Sequence, residues 1–326
     1  MSSKKKKKPI FTVGEERLLS QPDLRREIID TSLFVLPKND GEAARACQIL
    51  AAVKAPFVHI SKQNWGATLD REWASLDLAG ALEKKIKRVV IFEIPGVAEA
   101  KDMPIDKEEA IKAMGFDLLI IDHHHYKWVD RYQPKSSLEQ LCSLIGWQMD
   151  EIDMAIAIND RSYIPGLKSL GISVDVMRQV RLFDLENQGN SRSYIEKQLQ
   201  LARSLLGELT QKKKGDIWVL DEPSYKQPYI VQEISFDTPS GLTHAFEIKP
   251  HKLGFSGDPR VVDKLLKRDF SKWEKITGPL INYGGGDGRS SKFWGLKTSE
   301  NRKTIPPKMA EETLEFILEE RASAAP

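Results

Sequence analysis

Short, mostly apolar runs of four or five residues recur between stretches of helical periodicity, and this alternation limits the folds open to the chain. The runs are Ser32-Leu-Phe-Val-Leu36, Phe57-Val-His-Ile60, Arg88-Val-Val-Ile-Phe92 and Leu118-Leu-Ile-Ile121. Runs of this length with polar flanks predict buried strands. Helical spacing of apolar residues fills the gaps at 43–55, 65–83 and 107–114. Strand alternating with helix predicts an α/β fold with a parallel, doubly wound sheet.

Beyond residue 130 the helical pattern dominates, over 137–145, 150–158, 174–185 and 194–209. The pattern changes after Lys212-Lys-Lys-Gly215, which reads as a hinge. Residues 217–220, 229–236, 242–248 and 280–283 read as strands, 258–273 as a helix, and 309–321 as a final helix opened by Pro306-Pro307. A second, smaller α/β domain is therefore expected. The expected divisions are a basic tail over 1–13, a first domain over 14–190, a helical linker over 191–214 and a second domain over 215–326.

The formal net charge is +2, and five of the positive charges lie in Lys4 to Lys8, so the rest of the chain carries −3. The lysine block reads as a solvated tail, and the body is not a strongly basic nucleic-acid binder. No apolar run approaches the roughly 18 residues of a membrane span. The first residues lack the apolar core of a secretory signal. Two cysteines, Cys47 and Cys142, are too few for a disulfide framework and suit a reducing cytoplasm.

Four apolar runs end in acids. Asp40 and Glu42 follow 33–36, Glu93 follows 89–92, Asp122 and His123, His124 and His125 follow 118–121, and Asp160 follows 155–158. Strand ends in a parallel sheet emerge at one edge, where open α/β folds hold ligands. Carboxylates gathered there repel one another unless a cation neutralises them. Several carboxylates with an imidazole suit Mn²⁺ or a similar divalent ion, with Mg²⁺ or Co²⁺ as alternatives. Two such ions would clamp a phosphate ester. Each member has a plainer reading: Asp40 and Glu42 as a turn and a helix first-turn acid, Glu93 as a solvated strand end, Asp160 as a turn cap.

The order Asp40-Gly-Glu42, a strand followed by Glu93, Asp122-His-His124 and a later Asp160 resembles the DHH phosphoesterases. That superfamily includes RecJ-type exonucleases, oligonucleotide- and pAp-hydrolysing nanoRNases, cyclic-dinucleotide phosphodiesterases and family II pyrophosphatases. The strand running into Gly284-Gly285-Gly286-Asp287 resembles the GGGH signature of the attached DHHA1 substrate domain. The resemblance covers roughly residues 32–295. It implies Asp40, Glu42, Glu93, His123 and Asp160 as metal ligands. It implies Asp122 as the group that orients the histidine, and His124 as the contact to the substrate phosphate or leaving group. Gly284, Gly285, Gly286, Asp287 and Arg289 would hold phosphate or nucleotide. The implied substrate is a short oligonucleotide or small nucleotide, and the implied partners include no membrane; a homodimer is compatible with it.

The chain departs from the family pattern at four places. Leu36 stands where many members have a histidine, Glu42 and Glu93 replace aspartates, and Asp287 replaces the histidine of GGGH. Two readings follow: a divergent phosphoesterase, or a non-catalytic nucleotide- or nucleic-acid-binding relative that has lost part of the metal site. A polyphosphate hydrolase fits poorly, since the glycine-rich region lacks a dense lysine and arginine motif. Among the aromatics, Trp294 is a candidate for base stacking, and Trp73 for the core. His59, His244 and His251 read as isolated, satisfied histidines.

Overall fold

The computed structural model describes residues 22–63, 67–96, 106–124, 131–221, 226–285, 291–299 and 303–324. The chain falls into two units, one of 1–160 with 178–190 and one of 161–177 with 191–326.

The first unit contains α1 (Pro22–Asp30), β1 (Ser32–Leu36), α2 (Gly41–Ala52), β2 (Val58–Ile60), α3 (Leu69–Glu72), α4 (Leu78–Glu83), β3 (Arg88–Phe92), α5 (Lys107–Ala113), β4 (Asp117–Ile121) and α6 (Ser137–Ile145). It shares α7 (Glu151–Ser169) and α8 (Val174–Asn187) with the second unit. Its four strands form a parallel sheet in the order β2-β1-β3-β4. Successive side chains of a strand face opposite ways, and both faces are packed. Val35, Val89 and Ile91 join Leu69, Leu76, Ile86, Ile111 and Phe116 in one core, while Phe34, Leu36, Val90 and Phe92 face the other way and are equally buried. Burial on two faces is why these strands read as continuous apolar runs rather than alternating ones. The register places Val35 beside Ile91 and Phe92 beside Ile121. The carboxyl ends of β1, β3 and β4 therefore reach one edge together.

The second unit contains α9 (Arg192–Leu209), β5 (Lys213–Lys214), β6 (Ile217–Leu220), α10 (Gln227–Asp237), β7 (His244–Lys249), β8 (Lys252–Gly257), α11 (Pro259–Lys267), α12 (Ser271–Thr277), β9 (Leu280–Gly285), β10 (Lys292–Thr298) and α13 (Pro307–Ala324). Its six strands run in the order β5-β6-β7-β8-β10-β9, with only β6 and β7 parallel. Phe246, Leu253, Phe255, Trp294 and Leu296 from the sheet pack with Val262 and Leu265 of α11 and with Met309 and Ile317 of α13. Residues 161–177 and α9, expected in the first domain and the linker, belong to this unit. Lys168 donates to the carbonyls of Phe236 and Thr238, and Arg203 pairs with Glu233 of α10.

Four expected elements differ. Residues 229–236 are helix, not strand. Pro228 sits in the first turn of α10, where its missing N–H costs nothing. Tyr229, Ile230, Val231, Ile234 and Phe236 are all buried. A helix buried on most sides loses the polar stripe that marks its period. The helix expected over 65–83 is broken into α3, a 3₁₀ turn over 73–75 and α4, because Asp77 caps a new helix by accepting from Gly80 N–H at 2.9 Å. The helix expected over 258–273 stops at Lys267 and restarts at Ser271. The hinge lysines Lys213 and Lys214 are instead an edge strand.

Candidate metal centre

Each acid at the carboxyl edge is delivered by a different local device. Asp40 is the N-cap of α2, and its Oδ1 accepts from Ala43 N–H at 2.8 Å. Glu42, two residues on, is 1% exposed. One of its oxygens, Oε1, accepts from Leu138 N–H in the first turn of α6 at 2.8 Å, so a helix N-terminus fixes the carboxylate. The other, Oε2, turns inward.

Glu93 continues the sheet for one residue, its N–H donating to Ile121 O at 2.9 Å. Its φ is then +52°, in the left-handed region that non-glycine residues avoid. The turn that follows is pinned by Glu108, which accepts from Gly96 N–H at 2.8 Å and pairs with Arg131. Asp160 lies on α7 just before Tyr163, whose φ of +52° and ψ of −147° interrupt the helix. Strain of this kind costs about 1–3 kcal/mol and persists where the surroundings enforce it.

A second bracket ties two of these segments. Asp184 on α8 accepts from Gly41 N–H at 3.0 Å and from Arg181 at 2.6 Å, and Arg181 donates to Asn159 at 3.2 Å. It links the turn bearing Asp40 to Asn159, the neighbour of Asp160 on α7. Glu108, Arg131, Arg181 and Asp184 are supports that the sequence did not reveal, since each reads as an ordinary charged helix or loop position.

The result is a convergence. Ligand atoms of Glu42, Glu93, His123 and Asp160 lie within 4.8 Å of one another. His123 Nε2 stands 2.8 Å from Asp160 Oδ2, 3.3 Å from Glu93 Oε1 and 3.6 Å from Glu42 Oε2. All four atoms are buried, and none makes a hydrogen bond of acceptable geometry. Buried polar atoms without hydrogen bonds are rare and costly, and four gathered within 4.8 Å of one another match the donor set of a divalent cation. Three carboxylate oxygens and one imidazole nitrogen suit Mn²⁺, Mg²⁺ or a similar ion.

The charge states register the same crowding. Burial, then the charges of Asp160 and Glu93, hold the Glu42 carboxyl well above its usual range. Asp40 is raised by burial, then by Glu93 and Asp160. Asp160 is lowered because His123 outweighs the effect of burial. For His123 burial opposes the charge, but contacts with Asp160 and Glu93 prevail and push the imidazole up to about 12.

His124 is half-exposed beside this group. Asp122 Oδ1 accepts from its backbone N–H and lies 3.0 Å from Nδ1. Burial opposes charge on His124 too, but Asp122 and Glu93 raise it to about 9. Asp122 thus holds His124. Asp40 lies outside the four-atom group, with one oxygen committed to its cap. Gly284 and Gly285 close β9 opposite Trp294 and Phe293. Gly286, Asp287, Arg289 and His125 lie outside the described residues. Trp294 is not available for stacking: it is buried, donates to Asn282 Oδ1 at 2.7 Å and stacks on Phe270. Trp73 packs against the first-unit core as expected. His59, His244 and His251 are paired with Glu72, Asp216 and the Lys303 carbonyl.

No family model and no curated protein matches the sequence. Among solved structures, the chain is similar to exonuclease RecJ bound to manganese, at 13% identity and a TM-score of 0.41, over 98% of this chain and 97% of that one. It is also similar to RecJ in complex with Mn²⁺ from Thermus thermophilus, at 13% identity and a TM-score of 0.44. That match covers 93% of this chain and 54% of the Thermus chain.

Proposed function

We propose that the protein is a divalent-metal-dependent phosphohydrolase that cleaves a phosphoester or phosphodiester in short oligonucleotides or small nucleotides. The observation that carries this reading is the set of four buried ligand atoms on Glu42, Glu93, His123 and Asp160, within 4.8 Å of one another and without hydrogen bonds of acceptable geometry. Mn²⁺ is the proposed ion. Bound there, it would supply a Lewis acid and lower the pKa of a water molecule. The residues around it divide the remaining tasks. Glu42 keeps one oxygen on α6 and offers the other to the site. His124, steered by Asp122, presents an imidazole on the exposed side, where it can hold a substrate phosphate or give a proton to the leaving oxygen. Asp40, buried and capping α2, stands outside the four-atom group. Gly284 and Gly285 at the end of β9, with Gly286, Asp287 and Arg289 after it, are proposed to hold substrate in the manner of a DHHA1 domain, in a cytoplasmic protein.

A second reading is a non-catalytic nucleotide or nucleic-acid binder with one metal. It is favoured by the position of Asp40, which caps α2 and, among the described residues, belongs to neither of the two overlapping groups, Glu42, Glu93, His123 and Asp160, and Glu93, His123 and His124. Metal analysis together with Mn²⁺-stimulated release of mononucleotide from short RNA, short DNA and pAp separates the two. Turnover that His123→Ala abolishes supports the enzyme. One bound ion without turnover on any of these substrates supports the binder.

A further inference from the structure

The two edges of the six-stranded sheet are built in opposite ways. One ends in β5, two residues long and both lysines. Short length and lysine are how natural sheets prevent edge-to-edge pairing. The other ends in β9, Leu280-Ile-Asn-Tyr-Gly-Gly285, six residues with no charge. Exposed large apolar side chains gather around it on both faces. Ile281 lies on the strand itself, and Phe293, 48% exposed, on its neighbour β10. Leu266 borders Gly284 from the helix side. Ile276, 58% exposed, belongs to the adjoining α12.

Among the described residues, no further strand pairs with the backbone on that side. In an antiparallel ladder the N–H and C=O of alternate residues face the same neighbour. Pro279 O accepts from Ser299 N–H on the β10 side, whereas Leu280 N–H is taken by the Glu274 side chain. The odd-numbered residues thus face β10, and Asn282 presents its N–H and C=O outward. Its side chain does not block the edge, being held inward by Trp294 Nε1 and the Leu265 and Leu266 carbonyls.

We infer that β9 is a docking edge for a second copy of this chain, paired antiparallel about a twofold axis at Asn282. In that register Asn282 exchanges both backbone hydrogen bonds with its counterpart. Ile281 then lies opposite Tyr283 of the second copy on the open face, where the Tyr283 ring covers Gly295 of β10. An uncharged strand meets its own copy without like-charge repulsion, whereas two copies of the Lys213–Lys214 edge would repel. The twofold arrangement closes the assembly as a dimer.

Light scattering on the eluting full-length protein tests this. The wild type should show a doubled mass as concentration rises. Ile281→Lys, at an exposed position, should remain at monomer mass over the same range with an unchanged melting temperature. Leu82→Lys, exposed in the first unit, should dimerise like the wild type. Monomer mass for the wild type at every concentration, or an undiminished dimer in Ile281→Lys, overturns the inference. Should Ile281→Lys fail to fold, amide exchange of the wild type decides. The Asn282 N–H should slow as concentration rises, and concentration-independent exchange overturns the proposal.

Discussion

His123 Nε2 and Asp160 Oδ2 stand 2.8 Å apart at the meeting point of a strand end and a helix, yet the contact lacks hydrogen-bond geometry. Glu42 and Glu93 complete the group, and the first predictions test what its crowding costs.

Glu42→Gln should raise the stability of metal-free protein and reduce the gain from metal. The folded carboxyl is held well above its usual range by burial and by Asp160 and Glu93. An acid whose folded pKa is raised costs stability as pH rises above its unfolded value of about 4.5, and a neutral amide removes that penalty. In the wild type, Mn²⁺ at a hundredfold excess over its Kd should stabilise by about 2.7 kcal/mol. Thermal melts in chelator and in Mn²⁺ should show the variant higher in the first and the wild type gaining more in the second.

Asp184→Ala should weaken Mn²⁺ binding without touching a ligand. It removes the acceptor for Gly41 N–H and the partner of Arg181, which steadies Asn159. Loss of an outer partner costs roughly 10–100-fold in metal affinity. Asp184→Asn, which keeps the Gly41 acceptor, should lose less. Titration calorimetry with Mn²⁺ gives the order.

Glu72 provides a pH-dependent contribution to stability. Burial pushes its carboxyl up, but hydrogen bonds from Ser61, Gln63, His59 and Ser75 prevail and bring it down to about 2. A depressed acid stabilises above its unfolded pKa and loses that contribution as pH falls through the folded one. The window therefore runs from about 4.5 down to about 2. Glu72→Gln should destabilise the first unit at pH 7, and the gap between variant and wild type in urea midpoints should narrow across that window.

Arg45→Met should cost about 3–5 kcal/mol, the usual penalty for stranding a buried charge. Arg45 and Asp153 are 1% and 0% exposed and 2.6 Å apart. Adding Asp153→Asn should recover part of the loss, since an amide can still accept from Trp147 Nε1. Denaturation of both variants measures the coupling.

The parallel sheet was legible because β1, β3 and β4 are buried on both faces and so appear as unbroken apolar runs. The meeting of Glu93 and His123 followed from the same cause, since β3 and β4 end in register, whereas Glu42 and Asp160 reach the group from helices α2 and α7. What escaped reading lacked a period. In α10, burial on most sides erased the polar stripe, and Tyr229 to Phe236 looked like a strand. Glu72 gathers partners from an irregular segment. Arg181 and Asp184 sit three apart on α8, a spacing that equally describes a surface ion pair. Only the fold reveals that both are buried behind the Asp40 turn.

That bracket also carries a lesson about dissection. Arg181 and Asp184 return to the first unit only after residues 161–177 have entered the second. A chain cut after Asp160 would keep all four converging side chains yet lose the clamp that sets two of their segments. The halves are interleaved along the polypeptide, so neither can be excised as one contiguous piece. During synthesis the half that carries the four side chains waits for part of its neighbour to be made first.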